Sequence, residues 1–141
     1  VQIDVYCGGR SKDQWCATLK TLYQQRCSPF FRVQWHDAVP LSKMVHLVSE
    51  ANVVAFDAAG LCMSSEEFSN NLYKAFADGR GKLSLLIGGP EGLGSLRSKL
   101  PATKVWSLSA LTFPHQLAQV LVAEQLYRAA TLYSGHPYHK I

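Results

Sequence analysis

The tightest constraint in this chain is where one apolar run ends. Leu83 to Ile87 reads as a buried strand and passes straight into Gly88-Gly89-Pro90-Glu91-Gly92-Leu93-Gly94, too rich in glycine for a helix interior. A strand opening into such a loop marks the carboxyl end of a strand in an open α/β sheet, which is where such sheets bind ligands. The neighbouring segments keep the same alternation. Ile3 to Cys7 predicts a first strand, ending at Gly8-Gly9. Ser11-x-x-Gln14 has the form of a capping box for a helix to about Arg26, with Trp15, Leu19, Leu22 and Tyr23 as its apolar face. Phe31 to Trp35 alternates as a second strand, and Leu41, Met44, Val45 and Val48 have helical spacing. Asn52 to Phe56 is a third strand, closed by Asp57. Ser64-x-x-Glu67 is a second capping box, opening a helix with the stripe Phe68, Leu72, Ala75 and Phe76 that stops at Gly79 and Gly81. A short helical piece from Ser95 to Leu100 precedes a strand from Lys104 to Leu108. The longest helix then runs from Pro114 to about Tyr133, with Leu117, Val120, Leu121, Glu124 and Tyr127 along one side and Gly135 as its stop. This order predicts one α/β domain over residues 1–141, a mostly parallel sheet covered by helices.

Composition narrows the class. With 48% hydrophobic and 17% charged residues in 141, the chain has the apolar content of a folded domain and is neither a disordered tail nor a fibrous repeat. No apolar run approaches a membrane span, so a soluble protein is expected. Cys7, Cys16, Cys27 and Cys62 show neither a zinc spacing nor a disulfide framework, and are expected as reduced thiols packed as small apolar groups. That fits a bacterial cytoplasm, a chloroplast stroma or a mitochondrial matrix. The missing initiator Met fits a trimmed chain or a removed targeting segment, so the expected location is cytoplasmic in a bacterium and chloroplast or mitochondrion in a eukaryote. Charge is uneven: residues 1–70 hold six Lys/Arg against seven Asp/Glu, and residues 71–141 hold eight against three. The basic second half hints at an anionic partner such as RNA.

The glycine loop matches neither GxxxxGK[ST] nor GxGxxG, and Glu91 inside it would repel phosphate oxygens. A neutral or cationic ligand fits it better than a diphosphate. Four motifs then act together: FDAAG followed by SSEEF at Phe56 to Phe68, LLIGGPEGLG at Leu85 to Gly94, WSLSALTFPHQLAQVLVAEQLYRA at Trp106 to Ala129, and HPYHK at His136 to Lys140. From about Asn52 to its end the chain resembles the ribosomal-RNA large-subunit methyltransferase H family of the SPOUT class. The resemblance implies a C-terminal α/β trefoil knot, a homodimer, S-adenosyl-L-methionine (AdoMet) as methyl donor, no metal, and methylation at N3 of a pseudouridine in large-subunit rRNA on bare RNA or the assembled ribosome. Carried over by motif, Phe56, Gly88 and the loop Leu108, Ser109, Ala110, Leu111, Thr112 and Phe113 would hold the cofactor. Tyr138, His139 and Lys140 would be catalytic, near the RNA or the proton. The chain departs from the family pattern between Trp35 and Asn52, where it is shorter and lacks a lysine-rich stretch, and at Leu61, where relatives commonly carry Lys. Two other readings stay open: a SPOUT enzyme acting on tRNA, and a non-catalytic dimeric ribosome-binding or assembly factor with the same fold.

Overall fold

Five strands pair in parallel in the order β2-β1-β4-β3-β5, so β4 joins two strands that precede it in the chain. A computed structural model describes Val1 to Lys140. The elements are β1 (Gln2–Cys7), α1 (Gln14–Cys27), β2 (Arg32–His36), α2 (Leu41–Glu50), β3 (Val53–Cys62), α3 (Ser65–Asp78), β4 (Lys82–Ile87), β5 (Val105–Ser107) and α4 (His115–Ser134). Two short 3-10 turns, Gly94–Lys99 and Ala102–Lys104, lead from β4 to β5. Among the described residues no helix is long and apolar enough to cross a membrane.

Alternation along each strand divides the core. Ile3, Val5 and Cys7 of β1 and Leu83, Leu85 and Ile87 of β4 pack with α1, α3 and α4 on one face. Ala55 and Leu86 pack with Met44 of α2 and with Leu93 and Leu96 on the other. Burial on both faces is why these strands read as almost unbroken apolar runs. The capping box at α3 forms as expected: the Ser64 hydroxyl accepts from the Glu67 N–H, and the Glu67 carboxylate accepts from the Ser64 N–H. Gly135 ends α4 in the left-handed conformation (φ 78°).

Several expectations are corrected. Ser11 does not cap α1. The helix starts after Asp13, and the Ser11 hydroxyl instead donates to Gln119 Oε1 at 2.8 Å. Asp13 is also tied to α4, its N–H donating to Gln116 Oε1 and its carboxylate accepting from Gln116 Nε2, both at 3.0 Å. The buried face of α1 is not Trp15, Leu19, Leu22 and Tyr23; it carries Cys16, Lys20 and Cys27, while Trp15 is exposed. Lys20 turns inward because all three ammonium protons find acceptors: Asp37 Oδ1 at 2.8 Å, Gln119 Oε1 at 2.9 Å and Ser11 Oγ at 3.1 Å. Its charge also sits 4.6 Å from the centre of the Trp35 ring. On α4 Val120 is covered as expected, together with Gln119, Val122, Ala123, Leu126, Ala129, Ala130 and Thr131, whereas Leu117 is exposed and Leu121, Glu124 and Tyr127 are only half-buried. Small alanines let α4 lie close to its neighbours, so the larger side chains point elsewhere. Asp57 does not close β3, which continues to Cys62 through a register shift between Phe56 and Leu61. A Cβ at Gly60 would stand 2.6 Å from the Val105 carbonyl oxygen, which is why glycine occupies the far side of that irregularity.

Cys7, Cys16 and Cys27 are buried as expected, but Cys62, at the end of β3, is exposed. Burial pushes the Cys7 and Cys27 thiols from 9.0 up to about 12. A thiol raised in the folded state adds stability that is whole below its unfolded value and is lost as pH climbs toward the folded one. The urea midpoint is therefore expected to be insensitive to these thiols below pH 9 and to fall between pH 9 and 12. Under native conditions at pH 8 a thiol-reactive disulfide should modify Cys62 rapidly and Cys7 and Cys27 only at the rate of unfolding. Rapid modification of all four would contradict this burial.

Candidate active site

The carboxyl ends of β1, β4 and β5 lie along one edge of the parallel sheet, and the segments leaving them, with Phe56 to Ala58 in the middle of β3, surround two adjoining hollows. The first, of about 560 Å³, lies between the glycine loop after β4 and the segment after β5. Phe56, Gly88, Leu108, Ser109, Leu111, Thr112 and Phe113 all line it; Ala110, in the same segment, does not. Phe56 is 8% exposed and meets Trp106 edge-on, so its ring forms a fixed floor rather than a mobile wall. Leu111, by contrast, is 71% exposed. Local hydrogen bonds shape the segment from Leu108 to Phe113: the Ser107 hydroxyl donates to the Ser109 carbonyl at 2.8 Å, and the Leu111 N–H donates to the Ser109 hydroxyl at 3.0 Å. Such bonds tie its peptide groups to its own serines, leaving apolar side chains to cover the hollow.

Two lining residues were not singled out from the sequence. Asp57 is held in place, its Oδ1 accepting from the Ala59 N–H at 2.9 Å and from Arg97 at 3.0 Å. A carboxylate directly after the apolar run Asn52 to Phe56 is the available signal in the sequence. His115, in the first turn of α4, donates from Nε2 to the Arg10 carbonyl at 3.3 Å and so ties the β1 loop to α4. Among the described residues, Asp57 and His115 are the only ionisable side chains lining this hollow, and no Lys or Arg does. The glycine loop closes on itself: Gly92 donates to the Gly89 carbonyl at 2.9 Å, and a Cβ at Gly88 would lie 2.6 Å from the Gly92 carbonyl carbon.

The structure places the tail elsewhere. Tyr138, His139 and Lys140 do not line the hollow; Ile141 lies outside the described residues. Tyr138 packs edge-on against Tyr127 at 4.6 Å, beneath the Arg128 guanidinium. Burial pushes its hydroxyl above the usual tyrosine range. Arg128 donates to His139 Nδ1 at 3.0 Å, which leaves the ring proton on Nε2 to be donated to Glu66 at 3.1 Å. The Glu66 carboxyl is held below its usual range by its own backbone N–H, with His139 adding to the effect. One tail residue thus bridges the start of α3 and the last turns of α4.

Comparison with known proteins adds to this geometry. A family model described as predicted SPOUT methyltransferase matches residues 1–139. A protein named ribosomal RNA large subunit methyltransferase H from Saccharophagus degradans is 48% identical over 95 residues, which are 67% of this chain and 60% of that protein. A protein of the same name from Thioalkalivibrio sulfidiphilus is 51% identical over 88 residues, 62% of this chain and 55% of the relative. The matched stretch therefore spans little more than half the length of either relative.

Proposed function

On the premise that the chain belongs to the SPOUT methyltransferase family, as the match over residues 1–139 establishes, we propose that it transfers a methyl group from AdoMet to N3 of a pseudouridine in large-subunit rRNA. The observation that carries the reading is the first hollow, with its glycine loop on one side, its apolar cover and no Lys or Arg among the described residues that line it. AdoMet pairs a cationic sulfonium with an adenosine and has no phosphate, so a pocket offering backbone polar groups and an apolar slot fits it where a basic clamp would not. The Gly88 backbone would approach it most closely, with Phe56 and the Leu108 to Phe113 segment around the adenine. When bound, AdoMet supplies a methyl group activated on sulfur. The chain's own work is then to hold a target nitrogen in line with that methyl and to receive the proton the nitrogen must lose. Tyr138 and His139 are proposed for the hydrogen bond or the proton, and Lys140 for a phosphate. The names of the two relatives support an rRNA substrate.

Titration calorimetry with AdoMet, followed by transfer of labelled methyl to assembled ribosomes or bare rRNA and mapping of the modified nucleotide, tests the proposal. Modification of a large-subunit pseudouridine is expected. No AdoMet binding, or methyl found only in tRNA, would overturn it.

We also propose a homodimer, in which the tail of one protomer serves the hollow of its partner. Support comes from apolar side chains left uncovered on the packed pair α1 and α4: Trp15 is 45% and Leu117 38% exposed, beside the half-buried Leu121. Sedimentation equilibrium should give twice 15.6 kDa at micromolar concentration, and Leu117→Glu should shift it to 15.6 kDa. A wild-type protein sedimenting at 15.6 kDa would refute the dimer.

A further inference from the structure

A second hollow, of about 420 Å³, lies on the other side of the glycine loop and shares Gly88, Gly89, Pro90 and Gly92 with the first. The two hollows thus adjoin along this loop. Its opposite wall is Gly8 and Gly9 after β1, and its side is apolar: Val39 and Met44, both buried, and Leu41, 44% exposed. Backbone meets backbone across this wall. A Cβ on Gly8 would lie 2.7 Å from the Gly89 nitrogen, and one on Gly89 would lie 2.9 Å from Gly8 and Gly9 atoms. Gly9 has φ 73°, a conformation that favours glycine. The rim is anchored from behind. The Gly9 carbonyl accepts from Ala38 and the Cys7 carbonyl from Val39, while the neighbouring Asp37 is bound to buried Lys20.

Among the described residues, Glu91 is the only charged side chain lining this hollow, and it is exposed and enters none of their ion pairs. The N–H groups of Gly9 and Glu91 enter none of the backbone hydrogen bonds among the described residues, while Gly89 pairs with Gly92 in an isolated antiparallel bridge. A flat ligand seated against Val39, Leu41 and Met44 would therefore meet a carboxylate acceptor with backbone donors available around it. That is the complement of an imide edge, in which an N–H donor stands between two carbonyl acceptors. Uracil and pseudouridine present such an edge, whereas cytosine presents an acceptor where the N–H would be. Among the described residues no Lys or Arg lines the hollow, so a phosphate finds no cationic partner there and a base would enter alone, as flipped-out bases do.

We infer that the second hollow is the seat of the target base, a uracil-type imide whose N–H is held by Glu91. This rests on the reading of the first hollow as the methyl-donor site, because the two hollows adjoin along the Gly88 to Gly92 loop and a nitrogen seated in one must reach a methyl held in the other. Glu91 then contacts the proton that must leave the nitrogen, and the Val39, Leu41 and Met44 side discriminates by shape.

The test uses the full chain and free nucleosides as probes, with AdoMet calorimetry on the same samples. In amide-resolved NMR titrations, uridine should shift the Gly8, Gly9, Gly89 and Met44 signals saturably, and cytidine and 3-methyluridine should bind at least tenfold more weakly. Glu91→Gln should weaken uridine about tenfold, the scale of a lost hydrogen bond to a charged group. Leu41→Trp, at an exposed position, should fill the hollow and abolish the shifts while AdoMet affinity stays within twofold. If AdoMet binds and uridine leaves these signals unmoved, or if the three nucleosides behave alike, the base-site inference fails and the methyl-donor reading survives. Failure of the wild-type protein to bind AdoMet overturns both.

Discussion

Gly88→Val is expected to yield a folded protein whose AdoMet affinity is at least a hundredfold lower, about 2.7 kcal/mol. The added Cβ would stand 2.6 Å from the Gly92 carbonyl carbon and 2.9 Å from its Cα and carbonyl oxygen. Each is a backbone atom, so the loop must open to admit the side chain, and opening it moves the floor of the first hollow. Gly92→Ala is the matched control. Its Cβ would have nothing within 4 Å, and it would suffer only the cost of φ 74°, about 1 kcal/mol. Circular dichroism establishes folding and calorimetry measures affinity; an unchanged affinity in folded Gly88→Val would remove Gly88 from the cofactor site.

Deleting the chain from Tyr138 onward should lower methyl transfer by two to four orders of magnitude, the usual contribution of a positioned acid or base. AdoMet affinity and dimerisation should remain near their original values. The two effects separate because, among the described residues, the tail lines neither hollow and holds to Glu66, Tyr127 and Arg128, with Tyr23 beside the Tyr138 hydroxyl. The stability cost should be small, since the His139 to Glu66 bond is at the surface. A single-turnover assay on saturating ribosomes would decide, and a normal rate in the truncated protein would reduce the tail to a terminus folded against its own helices.

The two capping boxes show what local sequence can and cannot convey. Ser64 and Glu67 form theirs because nothing distant competes for either side chain. Ser11 and Gln14 have a similar pattern, but Lys20 and Gln119 claim the Ser11 hydroxyl, and Gln119 lies more than a hundred residues along the chain. Lys20 misled the reading of α1 in the same way: a lysine counts as polar until three acceptors from three segments surround it. On α4 the apolar periodicity points to Leu117 and Leu121 as well as Val120, yet a helix that packs closely buries Val120 with its alanines and leaves the two leucines outside or half-covered. The first hollow was the more legible because Leu108 to Phe113 are contiguous and Gly88 follows its strand directly. The second needed the register that sets Cys7 beside Ile87, and so brings Gly8 to Gly89, a pairing that no local periodicity encodes.

The central position of β4 also bears on how the chain is made. β1 can pair with β2 on one side as soon as residue 36 has emerged, but its other edge, and one edge of β3, face a strand that ends at Ile87. At the usual pace of synthesis of 5–20 residues per second, the 80 residues from Cys7 to Ile87 take roughly 4 to 16 s. For that interval the nascent chain carries open strand edges, the surfaces on which misfolded chains join one another. Synthesis that stalls before Lys82 leaves those edges without the strand that closes them, so the passage from α3 to the glycine loop is where this protein is most exposed to aggregation during its own translation.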